Sequence, residues 1–132
     1  MPPLPRITHV IFDLDGTLLD TEPAYLAIER EIAERHGRVF TEELRERMMG
    51  RPAAESARIF VDTLTIPITP AEFLAARDAG VETLFRACLP MPGAVALTRH
   101  LVAHGIPLAI ATSAHGPTLA YKTERHTEWL AT

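Results

Sequence analysis

The sequence predicts an α/β protein: an incomplete parallel-sheet core, represented by its amino-terminal part only, with an inserted α-helical lobe. Three observations predict it. Two short apolar runs, at 7–12 and 106–111, each end in residues with side-chain oxygens. Four helical segments with no strand among them fill the interval from Thr21 to Cys88. The order strand, helical lobe, helix, strand, helix is that of an α/β domain opened after its first strand.

Residues 1–6 are proline-rich and read as a disordered lead-in, without the apolar run or basic start of a secretion signal. Residues 7–12 (ITHVIF) are dominated by β-branched and aromatic side chains and are followed by Gly16, the pattern of a buried parallel strand. Thr21 then offers an oxygen to a helix N-terminus. Glu22 suits the helix dipole there, Pro23 is tolerated in the first turn, and Tyr25, Ile28 and Ile32 recur at helical spacing up to Gly37. A second helix is predicted over 41–49 and a third over 52–64, where Ala54, Ala57, Val61 and Leu64 mark one face; Gly50 separates them. Thr69-Pro70-Ala71-Glu72 joins a capping box to an early proline and opens a fourth helix, over 70–88, weakened in its middle by Gly80.

Beyond Pro90 the segment 93–104 reads as a helix on Val95, Leu97, Leu101 and Val102, stopped by Gly105. Residues 106–111 (IPLAIA) form the second buried strand, 113–116 a turn, and Leu119, Tyr121, Trp129 and Leu130 carry a terminal helix. The expected boundaries are therefore 1–19 and 89–132 for the partial core and 20–88 for the lobe. A sheet of about five strands needs three more strand-and-helix units of roughly 30 residues each, which the chain does not contain.

Composition narrows the function. At 132 residues and 47% hydrophobic content the chain can bury a core, and its net charge of −4 is spread over interspersed acids and bases. No basic stripe is present to hold nucleic acid or an anionic membrane, so a small molecule is the expected partner; nothing in the pattern sets an oligomeric state. Charges or prolines interrupt every apolar run well short of the roughly 18 residues a membrane span needs. The single cysteine, Cys88, allows no internal disulfide and reads as a buried small hydrophobe. A cytoplasmic protein is the expectation.

The chemistry concentrates in Asp13-Leu14-Asp15-Gly16-Thr17, where two carboxylates lie two residues apart at the end of an apolar strand. One carboxylate can attack phosphorus to form an aspartyl phosphate, and a second can give a proton to the leaving oxygen and later take one from water. Asp13 is assigned the first task and Asp15 the second. A phosphate dianion facing two acids calls for a hard divalent cation, so Mg²⁺ held by Asp13 and Asp15 is expected. Gly16 lets the backbone turn sharply so that main-chain amides around Leu14 and Asp15 can point at phosphoryl oxygens, which makes Leu14 and Gly16 candidate phosphate-binding residues. Thr112 and Ser113 follow the second strand and should reach the same sheet edge; losing one hydroxyl donor of this kind costs roughly 2.7–4 kcal/mol of transition-state stabilisation. Each piece has a plainer use, Asp-x-Asp-Gly as a helix-capping turn and Thr112-Ser113 as a cap; their joint occurrence at two strand ends favours chemistry.

The histidines show no ligand spacing, and His100 with His104 near a helix C-terminus argues against zinc. Arg51, beside Gly50 in the break between two helices, either reaches substrate or is an exposed arginine. Lys122 is expected at the surface of the terminal helix.

These residues resemble a known family. VIFDLDGTLLDTE at 10–22 resembles motif I of the haloacid dehalogenase superfamily, and MPGA at 91–94 with HGIPLAIATS at 104–113 resembles the approach to its motif II, with Thr112 at the hydroxyl position. With KTERH at 122–126, the chain is most similar to the pseudouridine 5'-phosphatase branch and its neighbours, which include glycerol-3-phosphate phosphatases. The resemblance implies a Rossmannoid core with a C1-type cap at 20–88, Gly50 and Arg51 at a substrate-selecting position, and a Mg²⁺-dependent phosphatase of small phosphate monoesters. It also implies a motif III lysine and a motif IV acidic pair further downstream, for which the 132 residues have no room. Two other readings stay open: a sugar phosphomutase using the same aspartyl phosphate, and a truncated product that binds phosphate or a partner without efficient turnover. A true dehalogenase would leave Asp15 without a task, because halide departs without a proton.

Overall fold

Val10, Ile11 and Phe12 form β1 (Val10–Phe12), which pairs in parallel with β2 (Leu108–Ile110) in the register Val10 to Leu108, Ile11 to Ala109 and Phe12 to Ile110. The structure, a computed structural model, describes residues 1, 3, 5–114 and 116–131. The expected lead-in and the turn at 113–116 thus fall partly outside the described residues, at Pro2, Leu4 and His115.

The helices follow the sequence pattern closely. They are α1 (Glu22–Arg35), α2 (Glu42–Met48), α3 (Ala53–Leu64), α4 (Pro70–Arg86), α5 (Ala94–Ala103), α6 (Gly116–Thr123) and α7 (Thr127–Leu130), with a 3₁₀ turn at Glu124–His126. The caps are chemical. Thr41 Oγ1 accepts from Leu44 N at 3.2 Å, and at α4 Thr69 N donates to Glu72 Oε2 at 2.7 Å while Glu72 N donates to Thr69 Oγ1 at 3.1 Å. The expected single terminal helix is instead interrupted by the 3₁₀ turn at Glu124–His126, from which His126 Nε2 donates to the Cys88 carbonyl at 2.8 Å.

The chain divides into two units, one of residues 1–22 and 85–132, the other of 23–84. The second is all helix. Its core stacks Phe60 on Phe73 with ring centroids 4.2 Å apart and sets Phe40 5.7 Å from Phe60. Ser56 Oγ donates to the Met48 carbonyl at 2.9 Å and Arg38 Nε to the Leu64 carbonyl at 2.8 Å, tying α2, α3 and the loops that end them. Gly80 in α4 belongs to this packing. A Cβ there would lie 2.8 Å from Ile28 Cδ1, so the residue expected only to weaken the helix admits α1 at close range.

The first unit is an α/β layer. Leu14, Leu18, Leu19, Cys88, Ala94 and Trp129 form its buried cluster, with Phe12, Met91, Val95, Leu119 and Leu130 packed against it. Trp129 Nε1 donates to Thr98 Oγ1 at 2.7 Å, and that hydroxyl donates onward to the Ala94 carbonyl at 2.9 Å. Burial pushes the Cys88 thiol up from its ordinary pKa, as expected of a packed thiol rather than a reactive one.

The two strands are not the fully buried pair the sequence suggested. Ile11 is 69% exposed and Ile110 40%, and among the described residues each strand has a single neighbour. α5 and the terminal segment pack against one face of the two-stranded sheet, and among the described residues Ile11 and Ile110 leave part of it open. An open hollow of about 430 Å³, lined by apolar residues such as Val102, Leu108, Trp129 and Leu130, lies on this layer and includes neither Asp13 nor Asp15. Among the described residues no helix is long and apolar enough to cross a membrane.

Candidate active site

Both strands run out at one edge, and the residues just beyond their ends define the site. Ala111 N donates to the Phe12 carbonyl at 2.8 Å, so the pairing carries one step past the strands, and Asp13 and Thr112 depart from the same end of the sheet. The expected convergence of these positions at a common edge is what the register produces.

The loop after β1 folds back on itself. The amides of Leu18 and Leu19 both donate to the Leu14 carbonyl at 3.0 Å, Gly16 N donates to the Leu19 carbonyl at 2.8 Å, and Gly16 takes φ +71°, a value that suits glycine. Buried Leu14, Leu18 and Leu19 anchor the loop from below. Two further bonds fasten it to the segment before α5: Asp20 N to the Leu89 carbonyl and Met91 N to the Leu18 carbonyl, both 2.8 Å.

The two acids that the loop carries are held differently. Asp13 is exposed, and its Oδ1 accepts from Leu14 N at 2.8 Å. Asp15 is half-buried, and its Oδ1 accepts both from Thr21 Oγ1 at 2.8 Å and from Lys122 Nζ at 2.7 Å. Leu14 N donates to the Asp13 carboxylate at 2.8 Å and Gly16 N to the Leu19 carbonyl at 2.8 Å. Thr112 Oγ1 accepts from Ala114 N at 3.0 Å, which fixes the hydroxyl while leaving its hydrogen to be donated elsewhere. Ser113 is next to it in the exposed turn.

Lys122 corrects the sequence reading. Expected at the surface, its side chain is 2% exposed, paired with Asp15 and 4.6 Å from the centre of the Phe85 ring. The surrounding contacts explain the burial. Arg86 Nη1 bonds both carboxylate oxygens of Glu124 at 2.6 Å and lies over the Tyr121 ring, and Cys88 Sγ approaches the Lys122 carbonyl at 3.5 Å. Together with the His126 bond they press α6 against residues 85–88. The signal was present in the sequence: Leu119, Lys122, His126 and Trp129 recur at helical spacing, which puts the lysine on an apolar face.

Gly50 and Arg51 lie in the other unit. Gly50 takes φ +71° between α2 and α3, and Arg51 is engaged locally, Nε with the Arg47 carbonyl at 2.7 Å and Nη1 with Glu55 at 2.5 Å. His104 Nδ1 donates to the His100 carbonyl at 2.8 Å, a helix-end bond. No group of three or more His, Cys, Asp or Glu side chains placed to hold a metal occurs among the described residues.

Comparison with known proteins bears on this arrangement. The model of the haloacid dehalogenase-like hydrolases matches residues 7–130. The chain is 44% identical over 124 residues to (DL)-glycerol-3-phosphatase 1, mitochondrial, of Arabidopsis thaliana, covering 92% of this chain and 42% of that protein. It is 37% identical over 125 residues to a Drosophila melanogaster protein named "Probable pseudouridine-5'-phosphatase", covering 95% and 54%. Among solved structures, a Thermotoga maritima protein described as a "putative beta-phosphoglucomutase" superposes with a TM-score of 0.72 at 32% identity, covering 90% and 56%. The chain thus spans about half the length of these relatives.

Proposed function

Because the chain belongs to the haloacid dehalogenase-like hydrolases, we propose that it serves the hydrolysis of a small phosphate monoester through an aspartyl phosphate on Asp13. The observation that carries this reading is the exposed Asp13 carboxylate at a sheet edge, with a half-buried second carboxylate two residues on and the Thr112 hydroxyl leaving the same edge. The relatives named for glycerol phosphate and pseudouridine phosphate support a small polyol, sugar or nucleotide monoester as substrate.

In the first displacement an oxygen of Asp13 bonds to phosphorus as the ester P–O bond breaks, and Asp15 gives its proton to the departing oxygen. In the second, Asp15 takes a proton from water as that water attacks the aspartyl phosphate, which frees phosphate and restores Asp13. Thr112 donates its hydroxyl to a phosphoryl oxygen throughout. An exposed carboxylate suits Mg²⁺, which takes one or two carboxylates with substrate phosphate and water and would neutralise charge building on the phosphoryl group. Oδ1 of Asp15 is taken up by Lys122 and Thr21, which leaves the exposed Asp13 as the more open carboxylate for the ion. Residues 23–84 we read as a cap, with Gly50 and Arg51 selecting the leaving group.

The likeness to a protein described as a phosphoglucomutase favours one second reading, transfer of the same phosphoryl group to a sugar hydroxyl. The test for both is an acid quench of protein, Mg²⁺ and glycerol 3-phosphate or a hexose phosphate. A phosphoryl adduct on Asp13 with release of inorganic phosphate is expected, lost in Asp13→Asn; a hexose bisphosphate in place of phosphate would support the mutase. Unchanged turnover by Asp13→Asn would falsify both.

A further inference from the structure

We infer that Lys122 is a positioning residue for the acid/base step: it holds one oxygen of Asp15 so that the other is the one that exchanges protons. This inference rests on the phosphatase reading and deepens it. Among the described residues both hydrogen bonds to the Asp15 side chain fall on the same atom, Oδ1, from Lys122 Nζ at 2.7 Å and Thr21 Oγ1 at 2.8 Å. A carboxylate gripped at one oxygen by two donors cannot rotate without giving up both bonds. Oδ2 is then the atom that passes its proton to the leaving oxygen as the P–O bond breaks, and that receives a proton from water in the second displacement.

Lys122 is built for holding. Its 2% exposure shuts the ammonium away from water, so its charge must be answered within the protein, and Asp15 and the face of Phe85 4.6 Å away are among the groups that answer it. Four contacts brace the segment that carries it: Arg86 with Glu124, Arg86 with Tyr121, His126 with the Cys88 carbonyl and Trp129 with Thr98. A surface lysine on a frayed helix would have none of these constraints. The site thus draws a group from α6 to fix a side chain in the loop after β1, 107 positions earlier.

The test exploits leaving-group chemistry in the intact protein. An alkoxide such as that of glycerol 3-phosphate must be protonated as it leaves, whereas the nitrophenolate of p-nitrophenyl phosphate departs without help. Lys122→Met should slow formation of the aspartyl phosphate from glycerol 3-phosphate by about tenfold or more in a single-turnover quench, while the burst of nitrophenolate from p-nitrophenyl phosphate stays within about threefold. Lys122→Arg, which keeps charge and donors, should restore part of the loss. Thr21→Val, which removes the other donor to the same oxygen, should move the ratio in the same direction and serves if Lys122→Met does not fold. Equal losses in that first step on both esters, or no loss on either, would overturn the inference while leaving the phosphatase reading intact. A protein that turns over neither ester, or that keeps its p-nitrophenyl phosphate activity in Asp13→Asn, overturns that reading and this inference with it.

Discussion

Lys122 Nζ and Asp15 Oδ1 meet at 2.7 Å, yet the two sides of the pair differ in exposure, 2% for the lysine and 31% for the aspartate. Removing the aspartate takes the bonded anion from a side chain that is 2% exposed, whereas removing the lysine leaves a carboxylate that water can reach. Stability should therefore fall unequally: about 3 kcal/mol for Asp15→Ala against about 1 kcal/mol for Lys122→Met. Urea unfolding of the two variants checks this, and equal or reversed losses would mean that the lysine finds water in solution.

The indole of Trp129 donates to Thr98 Oγ1 at 2.7 Å in a buried setting, and the same hydroxyl donates to the Ala94 carbonyl. Thr98→Val keeps the volume and removes this acceptor, and loss of the buried hydrogen bond should cost about 1 kcal/mol. Thermal melts followed by fluorescence of the single tryptophan should show the transition shifted down. A melt that matches the parent would mean that the indole has another acceptor.

What could be read in the sequence depended on whether its cause was local. The caps at Thr41 and Thr69 act within three residues, and both helices begin where their spacing said. The loop after β1 was equally legible, because Asp13, Asp15 and Gly16 are neighbours at a strand end. The strands came out shorter than expected, 10–12 and 108–110 against 7–12 and 106–111, because ladder pairing depends on a partner that apolar character alone does not supply. For Lys122 the spacing with Leu119, His126 and Trp129 is a local sign of burial, but the partner that answers its charge stands 107 positions away. The break in the terminal helix coincides with the bond of His126 to the Cys88 carbonyl, a distant partner that no local pattern announces.

Gly80 gives a prediction opposite in sign to helix propensity. In an exposed helix Gly→Ala gains about 1 kcal/mol, but in α4 the new Cβ would meet Ile28 Cδ1 at 2.8 Å, Cγ2 at 3.1 Å and Cγ1 at 3.2 Å, so the whole side chain must move. Gly80→Ala should lose about 1–3 kcal/mol through overpacking. Ile28→Val deletes the nearest atom, so the double variant should recover part of that loss, a coupling that a double-mutant cycle reads directly. Additive losses would separate α1 from Gly80.

The Thr69–Glu72 capping box makes one end of α4 sensitive to acid. Two bonds from Thr69, the backbone one first, hold the Glu72 carboxyl below its ordinary pKa of 4.5. A carboxyl depressed in the folded state favours folding above its unfolded pKa, and that contribution disappears as pH falls through the lower, folded value. The parent should therefore lose stability on acidification below about pH 4.5 more steeply than Glu72→Gln, whose amide oxygen still accepts from Thr69 N but does not titrate. Above that range the two should differ by a pH-independent offset. Parallel acid limbs in melts at successive pH values would show that the box contributes nothing to acid sensitivity and that other carboxyls carry it.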